Sequence, residues 1–202
     1  NALENEDLLE LILSFDNFIT DPQAMSKQLF SEFGSLGAIL SSEPERLTRL
    51  EGITPRVNGL LKAIQLSIER VLHENVQQNP IIGSSQALLD FLSARLRHRQ
   101  REELIAMYMD RQNRLIKVEG AQGTVSHVHL SPRDVATRAL ELFASSVIIA
   151  HNHPGGDKKP SREDVHITKQ LDAALKALNI ELYDHVIVCG KSCFSFKSEG
   201  LI

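Results

Sequence analysis

The sequence predicts an α/β protein in two parts, an amino-terminal helical bundle followed by a mixed α/β domain. Three observations predict it. Residues 4 to about 78 read as helical throughout, with apolar side chains spaced three and four apart. From about residue 85 onward, short apolar runs such as Val147-Ile148-Ile149-Ala150 alternate with amphipathic stretches, the pattern of strands and helices in one domain. Between the two lies a polar, proline-containing stretch, residues 75–83, that reads as a linker. The expected domains are residues 1–78, a linker at 79–84, and residues 85–202.

The helical part opens with Leu8, Leu9, Leu11, Ile12 and Leu13 and is stopped by the Asp16-Asn17 turn. A second helix spans about residues 22–33, with Pro22 in its first turn and Gly34 as its stop. A short helix follows at about 36–40, and Ser42-Glu43-Pro44-Glu45-Arg46-Leu47 reads as the start of another. The last carries Leu60, Leu61, Ile64, Leu66, Ile68 and Leu72. Ahead of it, Leu50-Glu51-Gly52-Ile53-Thr54-Pro55-Arg56-Val57-Asn58 resembles a helix-hairpin-helix turn, in which glycine amides approach a DNA phosphate. Here Thr54 stands at the usual second glycine, and Val57 and Asn58 stand at the usual basic residue and alanine. Residues 1–78 hold 6 Lys or Arg against 12 Asp or Glu, a net of −6, whereas phosphate binding needs a basic footprint. The bundle therefore reads as a packing or regulatory domain, and charge does not support nucleic acid as its partner.

In the second part a helix is expected at 85–96, a strand at 103–110, a turn at 110–114, and strands at 115–119 and 124–130. Ser131-Pro132-Arg133-Asp134 starts a helix by capping and proline placement, and it runs to about 143. A strand at 146–150, a helix from 162 to about 178, and strands at 180–183, 185–188 and 193–197 complete the order.

Composition narrows the class. With 42% apolar and 24% charged residues the chain is of ordinary soluble, globular type. Only 5% is aromatic, with no Trp, which argues against broad base-stacking platforms. The net charge of −4 argues against a nucleic-acid coat. No run of 18 apolar residues and no signal-type opening are present, so no membrane is expected and a cytoplasmic location is the default. Cys189 and Cys193 lack a second Cys or His pair at zinc-finger spacing and read as plain thiols of a reducing compartment.

The chemistry concentrates in His151-Asn152-His153-Pro154-Gly155-Gly156-Asp157-Lys158-Lys159-Pro160-Ser161-Arg162-Glu163-Asp164, which begins where the strand ends. Strand alternation points His151 and His153 the same way, about 7 Å apart along the backbone. The Pro154-Gly155-Gly156 turn swings the chain back so that Asp164 faces them. Ser161 and Asp164 taken alone form a helix-capping pair. Yet Asp164 also shares the core-facing stripe of its helix with Thr168, Leu171, Leu175 and Leu178, and a carboxylate on a buried face needs a cation. Two imidazoles, one carboxylate and an open position are the ligand set of a catalytic zinc site. His127 and His129 repeat the His-x-His spacing with no carboxylate to match and read as solvated strand residues. His166 lies on another helix face, and His185 is expected in a hydrogen-bonded structural role. Lys158-Lys159 reads as a solvated loop pair that could meet an acidic substrate.

The run His-x-His-Pro-x6-Ser-x-x-Asp resembles the JAMM motif of the JAB/MPN metalloproteases. Its flanks Ser131-Pro132-Arg133-Asp134-Val135, Asp184-His185-Val186-Ile187-Val188 and Ser195-Phe196-Lys197-Ser198-Glu199-Gly200-Leu201 are similar to the RadC branch, and Phe33-Gly34-Ser35-Leu36 is similar to the helical domain that precedes it there. The resemblance implies a three-layer, cytidine-deaminase-like mixed sheet for the second domain. It also implies a zinc-dependent peptidase or isopeptidase, acting on a protein or peptide substrate through a metal-activated water. By position His151, His153 and Asp164 match the metal ligands, and Ser161 matches the residue that stabilises the oxyanion. An upstream glutamate should take the water proton and pass it to the leaving amine. The resemblance favours Glu102, with Glu103 its immediate rival and Glu119 a distant third. The alternative function is a DNA-associated accessory protein with a vestigial or nucleolytic metal site. The sequence indicates neither an oligomeric state nor a particular substrate.

Overall fold

The computed structural model describes residues 3–78, 85–121, 131–190 and 192–202. The chain divides into two compact units, Asn1–Arg70 and Val71–Ile202. The division falls within a helix, upstream of the 79–84 segment, which lies outside the described residues.

The first unit is all helix: α1 (Asn5–Leu13), α2 (Pro22–Phe33), α3 (Leu36–Ser41), α4 (Pro44–Leu47) and the start of α5 (Pro55–Gln78). Asp21 caps α2 by accepting the Ala24 N–H at 2.9 Å, and Gly34 ends it in the left-handed region at φ 79°. Leu9, Leu13, Leu29, Ile39 and Leu61 are fully buried and hold the unit together. Gly52 sits at φ 89°, a conformation strained for any residue with a Cβ. α5 continues through Asn75–Gln78, where a linker was expected. After Gly59 no Gly or Pro occurs before Pro80, and Val76, 2% exposed, anchors its final turns.

The second unit holds α6 (Ser85–Leu96), β1 (Leu104–Met109), β2 (Leu115–Ala121), α7 (Pro132–Glu141), β3 (Ser146–Asn152), α8 (Arg162–Lys176), β4 (Glu181–Cys189) and β5 (Ser192–Ser195). The sheet order is β2-β1-β3-β4-β5. Only β3 and β4 run parallel, joined by the α8 crossover, so the sheet is mixed. Strand alternation feeds two cores. Met107, Ile148, Ala150, Val186 and Val188 pack against Leu92 and Leu96 of α6, while Tyr108, Val147, Ile149 and Leu182 pack against Ala139 of α7 and Leu171 and Leu175 of α8. Burial of each large aliphatic side chain contributes roughly 1.5–3 kcal/mol. Helices on both faces of one sheet give the expected three layers. Among the described residues no helix is long and apolar enough to cross a membrane.

The strand expected at 124–130, with His127 and His129, lies outside the described residues. Two other expectations change. α8 stops at Lys176, which leaves Leu178 off the helix and 39% exposed instead of in its buried stripe. The strands expected at 180–183 and 185–188 are one strand, β4. Asp184 does not break it because its carboxylate is satisfied: it accepts the His185 N–H (2.7 Å), the Ser195 hydroxyl (2.6 Å) and the Lys197 N–H (3.0 Å). β4 does carry an irregularity there. Val147 pairs with Leu182 but Ile148 pairs with Asp184, so Tyr183 is an extra residue, a β-bulge. The bulge reverses side-chain parity along β4 and brings His185, paired with Ile149, onto the α8 face.

Candidate metal centre

β3, the loop after it and the first turn of α8 deliver the sequence motif to one place. His151 is within β3 and 1% exposed. His153 lies just past it, but its N–H donates to the Val188 carbonyl at 3.0 Å, so β4 holds the backbone as an added rung and the two-residue side-chain period persists. The chain then turns, with the Gly156 N–H on the His153 carbonyl at 2.9 Å and Gly156 at φ 77°. Ser161 starts α8. Its hydroxyl oxygen accepts the Asp164 N–H at 3.0 Å, and its own N–H donates to Asp164 Oδ2 at 2.6 Å. This capping box orients the carboxylate as well as starting the helix, so the capping and metal-site readings of Asp164 hold together.

The donors converge. His151 Nε2 lies 3.0 Å from His153 Nε2 and 3.3 Å from Asp164 Oδ1, and His153 Nε2 lies 3.5 Å from Asp164 Oδ2. Glu102 Oε1 approaches His151 Nε2 at 3.8 Å. One ligand atom from each of Glu102, His151, His153 and Asp164 falls within 4.8 Å of the others, the only such group among the described residues.

Hydrogen bonding fixes which ring nitrogens face inward. The Asp157 carbonyl only accepts, so His153 carries a hydrogen on Nδ1, 2.8 Å away, and Nε2 is the ring nitrogen available as a ligand atom. A longer chain of bonds settles His151. The Thr168 hydroxyl donates to the Asp164 carbonyl and therefore accepts from His185 Nδ1 at 2.6 Å. His185 Nε2 then accepts from His151 Nδ1 at 2.8 Å, which leaves His151 Nε2 bare. Burial holds both rings neutral, pushing His151 below the usual imidazole range against the raising effect of Asp164, and pushing His185 well below it. Two imidazole nitrogens and a carboxylate thus point at one another at 3.0–3.5 Å. With both nitrogens free of hydrogen that arrangement repels unless a cation lies between them, and the residues fit a divalent metal ion.

The other candidates are placed elsewhere. Glu103 turns to Arg99, 3.6 Å away, and Glu119 forms a two-oxygen pair with Arg138, the shortest contact 2.7 Å. His166, Lys158 and Lys159 are exposed. Cys189 is buried and Cys193 half-buried, both as free thiols. His185 has the hydrogen-bonded role expected of it, with its ring also stacked on Phe196 at 4.5 Å. Thr168 was read only as part of the apolar stripe. A hydroxyl on a buried helix face, one turn after a candidate ligand, was the available signal.

Residues 82–201 match the profile of the RadC-like JAB domain. A UPF0758 protein of Rhodobacter capsulatus is 40% identical over 202 residues, covering 100% of this chain and 94% of that one. A second, from Ruegeria pomeroyi, is 40% identical over 203 residues and is covered to 90% of its length. A third, from Burkholderia thailandensis, is 34% identical over 202 residues and is covered to 77%. In all three the similarity spans 100% of this chain, the helical region included.

Proposed function

The chain belongs to the RadC-like JAB family, and we propose that it is a zinc-dependent peptidase or isopeptidase that hydrolyses an amide bond of a protein or peptide. The observation that carries this reading is the pair of imidazole nitrogens facing one carboxylate, with a second carboxylate alongside. The two Nε2 atoms, 3.0 Å apart, and Asp164 Oδ1, 3.3 Å from that of His151, are close enough to share one zinc ion at bonds of about 2.0–2.1 Å, the preference of zinc for nitrogen and oxygen donors. Bound there, zinc would lower the pKa of a water to about 7 and polarise the scissile carbonyl.

The chain's own residues would do the rest. His151, His153 and Asp164 hold the ion in a geometry fixed by β3 and the α8 cap. Glu102 Oε1, reaching in from the segment before β1 with its side chain 56% exposed, takes a proton from water and delivers it to the leaving amine nitrogen. Of the three candidate glutamates, only this one stands beside the ligands. Ser161 Oγ accepts from its own helix, which leaves the hydroxyl hydrogen to donate to the carbonyl oxygen as that oxygen gains charge.

The test uses the zinc-loaded chain, a mixed-sequence peptide library and mass spectrometry to detect new termini. Cleavage by the wild type and its loss in Glu102→Gln supports the reading. A wild type that binds zinc and cleaves no amide bond, or a Glu102→Gln variant that cleaves equally well, overturns it.

A further inference from the structure

Asn152 lies between the two imidazoles in sequence but on the other face of β3, 1% exposed. Alternation sends His151 and His153 toward α8 and turns Asn152 toward the segment that leads from α6 into β1. The β1–β3 ladder ends with the pair Leu104 and His151, and the Asn152 side chain continues it. Its Oδ1 accepts the Glu103 N–H at 2.8 Å. Its Nδ2 donates to the carbonyls of Arg99 and Arg101, each at 3.1 Å. Both amide hydrogens and the amide oxygen are used.

The placement of these partners is specific. The Arg101 carbonyl belongs to the peptide group before Glu102, and the Glu103 N–H belongs to the peptide group after it. One buried carboxamide therefore holds both peptide planes that flank the Glu102 Cα. The Glu102 side chain is 56% exposed, and the backbone held by Asn152 sets where that side chain starts and the direction in which it leaves. Asp at 152 would lack the two donors, and an aliphatic residue would lack all three bonds.

We infer that Asn152 is the positioning residue for Glu102, so that one three-residue run supplies two ligands on one face of the strand and, on the other, the clamp that aims the glutamate. The inference rests on the reading of Glu102 given above.

Cobalt(II) is the probe, because its visible absorption bands respond to changes in the donors around the ion. Wild type, Asn152→Asp, Asn152→Ala, Glu102→Ala and the Asn152→Ala/Glu102→Ala double variant are compared as full chains. Both Asn152 variants are expected to keep about one cobalt per chain. Their spectra should shift toward that of Glu102→Ala, and the double variant should match Glu102→Ala alone. Peptide cleavage should fall about 10- to 100-fold in kcat with KM unchanged. Wild-type spectra in both Asn152 variants, beside a shifted Glu102→Ala spectrum, overturn the clamp alone. Loss of cobalt from both variants overturns it too, since Asn152 would then act on the ligands. A Glu102→Ala variant that cleaves peptide as fast as wild type overturns the clamp and the reading of Glu102 together.

Discussion

The Thr54 turn of the helical unit and the Ser161 turn of the α/β unit begin from the same chemistry and end differently. Each starts a helix with a hydroxyl cap: Thr54 Oγ1 accepts the Val57 N–H at 3.1 Å, and Ser161 Oγ accepts the Asp164 N–H at 3.0 Å. Each has an aspartate beside it. Asp16 is consumed locally, with Oδ2 on the Thr54 hydroxyl at 2.7 Å and Oδ1 on the Phe18 N–H at 3.0 Å. Asp164 gives Oδ2 to its own cap and presents Oδ1 to an imidazole nitrogen that has no hydrogen to offer. The first turn is closed on itself, and its helix amides are partly answered from within. The second remains open at one point, where the facing donors could hold a cation. What separates a fold feature from a site here is whether the polar groups satisfy one another.

The largest effect that would break this comparison is expected at Asp164. Asp164→Ala should reduce zinc from about one per chain to none and lower amide hydrolysis by 10³-fold or more, read by elemental analysis and turnover. Zinc at about 100 times its Kd should stabilise the wild type by about 2.7 kcal/mol and leave the variant's melting unchanged. Asp16→Ala, the matched change, should destabilise the helical unit and keep the zinc. Zinc retained by Asp164→Ala would remove the distinction between the two aspartates.

Next in size is Ser161→Ala. An oxyanion donor is worth about 10²- to 10³-fold in kcat, and the lost cap should cost about 1 kcal/mol of stability. Zinc content should not change, because Asp164 still receives the Ser161 backbone N–H. A variant as active as wild type would reduce Ser161 to a cap of the Thr54 kind.

Acid should separate the two units in the metal-free chain. At His151 and His185 burial lowers the folded pKa, so the unfolded chain binds protons first and stability rises with pH. That contribution is complete above about 6.5 and is lost as pH falls toward the folded value of about 4 at His151. Between pH 7 and 5 the loss from His151 alone should be on the order of 2 kcal/mol. Asp16 acts at lower pH. The Phe18 N–H and the Thr54 hydroxyl hold its pKa below 3.8, so its contribution is present above 3.8 and lost only as pH drops through the folded value. The two tyrosines, Tyr108 and Tyr183, both lie in the Val71–Ile202 unit, and the chain has no Trp. Near-UV circular dichroism from the tyrosines should therefore fade together with only part of the helical far-UV signal, that of α6, α7 and α8, and the remainder should fade at lower pH. Coincident transitions would show that the two units do not differ in this way.

Much of this was legible from local signals. Pro22, Gly34, Ser131 and Ser161 are punctuation that acts within one turn, and the helices they bound lie where the spacing put them. The convergence of His151, His153 and Asp164 was legible because strand parity and the capping box are both short-range. What was not legible depends on partners distant in sequence. Asp184 looked like a strand breaker until Ser195 and Lys197 supplied its hydrogen bonds. The bulge at Tyr183 follows from pairing with β3 and leaves no sign in composition, yet it decides that His185 reaches His151. The surroundings of the three glutamates were only partly legible: Arg99, four residues before Glu103, pairs with it, while Glu119 pairs with Arg138, 19 residues away. The end of α5 was misjudged because polar residues such as Glu74 and Asn75 suit an exposed helix face as well as a linker, and buried Val76 decided between them.

The smallest expected effect sharpens the comparison most. Thr54→Ala removes the α5 cap and the hydroxyl that satisfies Asp16 Oδ2, so the helical unit should lose about 1 kcal/mol, a shift of a few degrees in its melting. Zinc content, cobalt spectrum and peptide turnover should all match the wild type, because Asp16 and Val57, the hydrogen-bond partners of the Thr54 side chain among the described residues, are not candidate ligands. Ser161→Ala should cost similar stability and far more turnover. Equal costs in stability with unequal costs in chemistry would show that capping is common to both turns and the open valence belongs to one. A Thr54→Ala variant that lost zinc or turnover would mean that the hairpin turn serves the metal centre, and the two turns would then be parts of one device.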